Sequence, residues 1–194
     1  MNIVILGGPG SGKGTICEKL VVDFDYRLIC AGDLLRNEKA SGSKLGNQIA
    51  EIIDAGNLVP DKIITNLMFQ EFQKPIKLGK SYLIDGYPRT EKQAISLDGM
   101  INVPIVLWLE VSDETTIQRN LKRGLISGRP DDANEEIIKQ RLENYKQISL
   151  PIKKYYEKQI VEIDGEGTPE EVYKRVIDTL FEDVKELKDI ADIL

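Results

Sequence analysis

Histidine is absent from all 194 residues, and with it go imidazole general bases, Ser-His-Asp and Cys-His nucleophile systems, and zinc sites with histidine ligands. Only two cysteines occur, Cys17 and Cys30. Their spacing matches no metal motif and their neighbours are apolar, which predicts free, buried thiols. No apolar run approaches the ~18 residues of a membrane-spanning helix, and Met1-Asn2 lead straight into a strand pattern with neither basic leader nor cleavage site. A cytoplasmic protein without a membrane partner is expected. A basic excess is missing too: 26 Lys and Arg stand against 32 Asp and Glu, a net charge of −6, which speaks against a nucleic-acid partner.

What remains suits one compact domain, since 41% of the residues are hydrophobic and 30% charged. Apolar, β-branched runs recur at Ile3–Leu6, Tyr82–Ile84, Ile105–Val111 and Ile160–Ile163, with a weaker one at Arg27–Cys30. They alternate with helical patterns. Short continuous apolar strands separated by helices predict an α/β fold: a doubly wound, five-stranded parallel sheet covered on both faces. In such sheets ligands bind beyond the carboxyl ends of the strands. Residues 33–59 show only short amphipathic helices broken by Ser41-Gly42-Ser43 and Gly56, predicting a helical insertion. Residues 123–132 read as an exposed, lid-like loop, and Thr168-Pro169 cap a closing amphipathic helix running to about Leu187.

The most informative stretch is Gly7-Gly8-Pro9-Gly10-Ser11-Gly12-Lys13-Gly14-Thr15, which follows the first strand and opens a helix. That context makes it a phosphate-binding loop rather than a plain glycine-rich turn. Glycines let backbone N–H groups curl around a polyphosphate, the helix presents its positive end, and Lys13 supplies a mobile cation, which implies a donor such as ATP. Gly14 stands where the general motif has Ser or Thr, so Mg²⁺, carried in as Mg·ATP, should be held by phosphates and water, with Asp85 reaching it only through water and no direct protein ligand. Asp85 could alternatively serve as a turn cap before Gly86.

The loop alone names no reaction. Six arginines narrow it: Arg36, Arg89, Arg119, Arg123, Arg129 and Arg141 fall in or beside the strand-end segments, the insertion or the lid. Transfer between two nucleotides gathers several negative charges, and planar guanidinium forks meet phosphates bidentately. A nucleotide-dependent switch would need a base-reading N-K-x-D, which is absent. A silent nucleotide binder should have lost Lys13 or several arginines, and none is lost.

Five ordered motifs, GGPGSGKGT at 7–15, AGDLLR at 31–36, GNLVP at 56–60, DGYPRTEKQ at 85–93 and KRGLISGRPDD at 122–132 with Arg141 beyond, resemble the nucleoside monophosphate kinases of the adenylate kinase and UMP-CMP kinase type. The resemblance spans nearly the whole chain. It implies a core of 1–30, 60–122 and 134–194, a nucleoside-monophosphate-binding insertion at 31–59 and a short lid at 123–133. It implies that Gly10, Ser11, Gly12, Lys13, Gly14, Thr15, Arg119, Arg123 and Gly167 bind ATP. The acceptor would meet Ala31, Arg36, Asn57, Leu58, Val59, Gly86, Tyr87, Pro88, Arg89, Gln93, Arg129 and Arg141. Lys13, Asp85, Arg89, Arg123, Arg129 and Arg141 would carry the chemistry, in a monomer whose partners are small nucleotides. Position 31 resembles the UMP-CMP type, whose members usually carry alanine where adenylate kinases carry threonine. Gln93 resembles the adenylate kinase choice. The expected reaction is therefore ATP plus AMP giving two ADP, with UMP or CMP as the alternative acceptor.

Overall fold

The computed structural model describes residues 1–75, 79–127, 132 and 134–191, at 127 and 182–191 by backbone alone. Among these residues five strands, β1 (Ile3–Gly7), β2 (Arg27–Cys30), β3 (Tyr82–Asp85), β4 (Ile105–Glu110) and β5 (Ile160–Asp164), pair in parallel in the order β2-β3-β1-β4-β5. Side chains alternate across a strand, so each run feeds two cores. Val4, Leu6, Ile84, Val106 and Trp108 bury on one face, and Ile3, Ile5, Leu83, Ile105, Leu107 and Leu109 on the other. Both faces being covered explains why the runs are continuously apolar.

Helices α1 (Lys13–Phe24) and α8 (Pro169–Ala191) cover the second face through Ile16, Cys17, Leu20, Val172 and Val176. The first face takes α4 (Asp61–Gln73), α5 (Glu91–Asp98) and α7 (Glu135–Tyr155), through Met68, Ala94, Leu97 and Ile152. Between β2 and α4 stand α2 (Ala31–Ala40) and α3 (Lys44–Asp54) and no strand. The chain leaves β1 for one edge of the sheet and β4 for the other. Strand order thus reverses between β1 and β4, where the carboxyl ends open a ligand crevice.

One expectation is corrected. Arg123–Ser127 is the end of α6 (Asp113–Ser127), not an exposed loop. Leu125 and Ile126 there are 89% and 79% exposed, so the helix continues without the buried stripe by which a sequence pattern reveals one. Arg129, Pro130, Asp131 and Ala133, most of the remaining lid, lie outside the described residues.

Candidate active site

The phosphate loop fills the gap between β1 and α1 at a close approach. A Cβ on Gly7 would sit 2.5 Å from the Leu109 carbonyl oxygen, and one on Gly10 (φ 76) would sit 2.4 Å from Asn120 Nδ2, so side chains are excluded at both positions. Gly12 caps α1 without any side-chain hydrogen bond, leaving the first N–H groups of the helix to a ligand. Lys13 Nζ donates to the Gly7 and Gly8 carbonyls, both at 2.8 Å, and to Ser11 Oγ at 3.2 Å. Burial pulls its pKa down to about 8 against the opposing pull of the Asp85 carboxylate.

Asp85 ends β3, 8% exposed. The register Cys30↔Asp85 between β2 and β3 brings the Cys30 thiol to donate to Asp85 Oδ2 at 3.4 Å. Cys30 is therefore half-buried beside a carboxylate, not in the apolar setting expected, whereas Cys17 is buried as expected. Burial first, and then Asp85, push the Cys30 thiol up to about 12, and the same causes raise Cys17. Neither thiol is poised as a nucleophile.

Across the crevice, a cis Tyr87-Pro88 bond precedes Arg89, whose Nε donates to the Gly86 carbonyl at 3.0 Å. Thr90 caps α5 by accepting the Gln93 N–H. The Gln93 amide is fastened at both ends, Oε1 accepting the Arg89 backbone N–H and Nε2 donating to Asp61 Oδ1, each at 2.7 Å. Arg36 Nη2 donates to Asp33 within the first turns of α2. Tyr87 is buried with its hydroxyl 3.0 Å from Thr65 Oγ1. One crevice of about 770 Å³ joins the two sides. Lys13, Arg36, Asp85, Arg89, Arg123 and Arg141 all line it, together with Gly10, Gly12, Gly14, Thr15, Ala31, Asn57, Leu58, Val59, Gly86, Tyr87, Pro88 and Gln93.

A family model described as adenylate kinase matches residues 5–161. Adenylate kinase isoenzyme 1 of Homo sapiens is 41% identical over 177 residues, 90% of this chain and 91% of that protein. Its counterpart in Cyprinus carpio is 41% identical over 183 residues, 93% of this chain and 94% of the relative. The Caenorhabditis elegans protein of that name is 39% identical over 180 residues, 91% and 85%. The chain belongs to the adenylate kinase family. It is a phosphotransferase with a phosphate group as acceptor, and these relatives do not favour the UMP-CMP alternative.

In this adenylate kinase family member three expected residues stand apart from the crevice lining. Ser11 is 1% exposed and serves as an acceptor for Lys13. Arg119 reaches the Gly165 and Gly167 carbonyls, both at 3.0 Å, and so braces the loop beyond β5 in which Gly167 lies at φ 98. Arg123 of α6 and Arg141 of α7 meet a residue that the sequence left without a role. Asp132, fully buried, accepts Arg123 Nε at 2.6 Å and Nη2 at 2.8 Å, and Arg141 Nη1 at 2.8 Å. Burial opposes its ionisation, but the hydrogen bonds from Arg123 and Arg141 outweigh it and hold the carboxyl below its ordinary value. Asn120, also fully buried, accepts Arg123 Nη2 at 2.7 Å and packs on Gly10, tying α6 to the phosphate loop. The doubled aspartate at 131–132 was the available signal for Asp132. Nothing local marked Asn120 or Asp61.

For a magnesium ion the donor set is sparse. Asp85 has one oxygen on the Cys30 thiol and the other without a hydrogen bond among the described residues. Those residues contain no group of three carboxylates or thiols that could cage a metal. One carboxylate beside a phosphate loop suits an ion that keeps its waters and takes substrate phosphates as ligands.

Proposed function

We propose that this protein is a monomeric, cytoplasmic adenylate kinase that reversibly transfers the γ-phosphoryl group of Mg·ATP to AMP, giving two ADP. The observation that carries the reading is the convergence of Lys13, Arg36, Arg89, Arg123 and Arg141 on one crevice, with no activated thiol beside them among the described residues. Cations gathered on one chain's own cavity suit two phosphate-bearing ligands and need no second subunit. A crevice without an activated thiol suits direct transfer, because phosphoryl transfer is mostly positioning and charge stabilisation.

In this reading the amides of Gly10–Thr15 and Lys13 hold the donor phosphates, and Arg119 with the Gly167 loop holds the donor base. Arg36 and Arg89 clamp the acceptor α-phosphate while Ala31, Asn57–Val59 and Gln93 meet its base, with Gly86–Pro88 forming the floor. An acceptor oxygen attacks the γ-phosphorus, the bond to the β-phosphate bridging oxygen breaks, and ADP departs with that electron pair. Arg123 and Arg141 exchange Asp132 for the developing phosphate charge, and Arg129 joins them from the lid. The insertion at 31–59 and the lid at 123–133 close to exclude water. Magnesium brought in with ATP would supply charge neutralisation at the donor phosphates, and Asp85 would hold it through water.

Initial rates with Mg·ATP against AMP, UMP, CMP, dTMP and GMP test the reading directly. AMP is expected to turn over fastest. Ala31 keeps a second acceptor in play, because one polar contact in such a pocket changes preference without abolishing activity. Measurable UMP or CMP turnover beside AMP is therefore expected. No ADP from ATP and AMP would refute the assignment.

A further inference from the structure

We infer that Asp61 is a specificity-positioning residue for the acceptor base, its carboxylate fixing the Gln93 amide so that it matches an amino group beside a ring nitrogen, as in adenine, and opposes a carbonyl beside a ring N–H, as in uracil. The inference rests on the acceptor assignment above and goes beyond it in naming what orients the reader of the base.

Gln93 is 3% exposed, lines the crevice and has its backbone held by the Thr90 cap. A side-chain amide presents opposite polarity at its two ends, so its meaning depends on which end faces where. Here both anchors decide alike. The Arg89 backbone N–H can only donate, and it meets Oε1 at 2.7 Å. The Asp61 carboxylate can only accept, and it meets Nε2 at 2.7 Å. A flipped amide would set NH₂ against N–H and oxygen against carboxylate, losing both bonds at a buried site.

Each end spends one of its two capacities on the protein. One Nε2 hydrogen and one Oε1 lone pair remain, a donor and an acceptor whose order along the amide is no longer adjustable. Adenine offers its N6 amino group to the lone pair and N1 to the hydrogen, and cytosine offers N4 and N3 in the same sense. Uracil presents O4 and N3–H, the reverse. The polarity matters more here because Ala31, Leu58 and Val59, which line the same crevice, carry apolar side chains that cannot read polarity. Asp61 opens α4 directly after Pro60, 32 positions from Gln93. It touches no phosphate-binding side chain in the described hydrogen bonds, so its effect should fall on the base.

Steady-state kinetics of the full-length protein with AMP and UMP test this in Asp61→Ala, with Asp61→Leu as an independent removal and Asp61→Asn as the conservative replacement. Removal is expected to raise KM for AMP roughly tenfold, leave KM for ATP within twofold, and lower the AMP-to-UMP ratio of kcat/KM. Asp61→Asn, whose carbonyl can still accept from Nε2, should keep that ratio within about threefold. A merely structural role at the start of α4 would weaken ATP and AMP together, and that outcome overturns the inference. So does an unchanged KM for AMP with an unchanged ratio, which leaves the acceptor assignment standing. Wild-type protein that makes no ADP from AMP would instead remove the acceptor assignment, and the inference with it.

Discussion

The two sides of the crevice are built on different principles. On the side proposed for the donor the phosphate site is backbone: strand-anchored glycines, an uncapped helix end and a lysine resting on its own loop carbonyls. On the side proposed for the acceptor and lid it is side chain: arginines engaged by carboxylates, Arg36 with Asp33 and Arg123 with Arg141 on Asp132. A backbone site is ready for its ligand, with little to rearrange. A side-chain site must exchange one anion for another, and the protein anion sets what a phosphate has to outbid.

The largest effect expected on this contrast comes from Lys13→Met. It keeps the stem and removes the cation from the donor phosphates, so kcat should fall on the order of a thousandfold with an unchanged circular dichroism spectrum. Near-wild-type turnover would remove Lys13 from the chemistry and leave the donor side to its backbone alone. Next in size is Arg89→Lys on the acceptor side. A point charge cannot reproduce a fork already held through Nε by the Gly86 carbonyl, and kcat/KM for AMP should drop about a hundredfold, well beyond the loss for ATP.

Asp132→Asn tests the stored anion. Replacing a fully buried carboxylate that holds two arginines should cost about 2 kcal/mol at neutral pH by urea unfolding, below the full penalty for breaking a buried pair because both arginines retain partial access to water. The pH dependence has a definite sign. The carboxyl titrates lower in the folded protein than unfolded, so its contribution is present above about pH 4 and is lost as the pH falls through the folded value. The substitution should therefore flatten the acid limb of the stability curve.

A smaller effect sharpens the donor side. With Lys13 drawn down to about 8, much of the free protein carries a neutral amine at pH 8.5, and a bound polyphosphate restores its charge. ATP binding should take up a fraction of a proton there, read by calorimetry in buffers of different ionisation enthalpy, and Lys13→Met should abolish the uptake. The smallest effect is expected from Ala31→Thr. A hydroxyl added where Ala31 opens α2 should shift acceptor preference toward AMP by several-fold, measured as the AMP-to-UMP ratio of kcat/KM.

Legibility in the sequence divides along the same line. Glycines 7–14 announced a phosphate site because the motif works through nine consecutive residues and their backbone angles, and the strand runs were visible because a sheet buried on both faces must be continuously apolar. Arg36, Arg89, Arg123 and Arg141 were visible as residues in suspect places, yet their resting partners were not. Asp132 lay in a polar stretch that reads as exposed until two guanidiniums enclose it. The end of α6 was hidden because Leu125 and Ile126 point to solvent and leave no stripe to read.

By itself, then, the sequence determined the fold class, the phosphate loop and the supply of cations, all properties of short segments or of composition. Tertiary structure decided the strand order β2-β3-β1-β4-β5, which sets Cys30 beside Asp85, and the docking of α4 near α5, which sets Asp61 against Gln93. A hydrogen bond between residues 32 or 55 positions apart carries no local periodicity. Its existence depends on which elements become neighbours, and that is settled by burying apolar faces throughout the domain rather than by the few residues that make the contact.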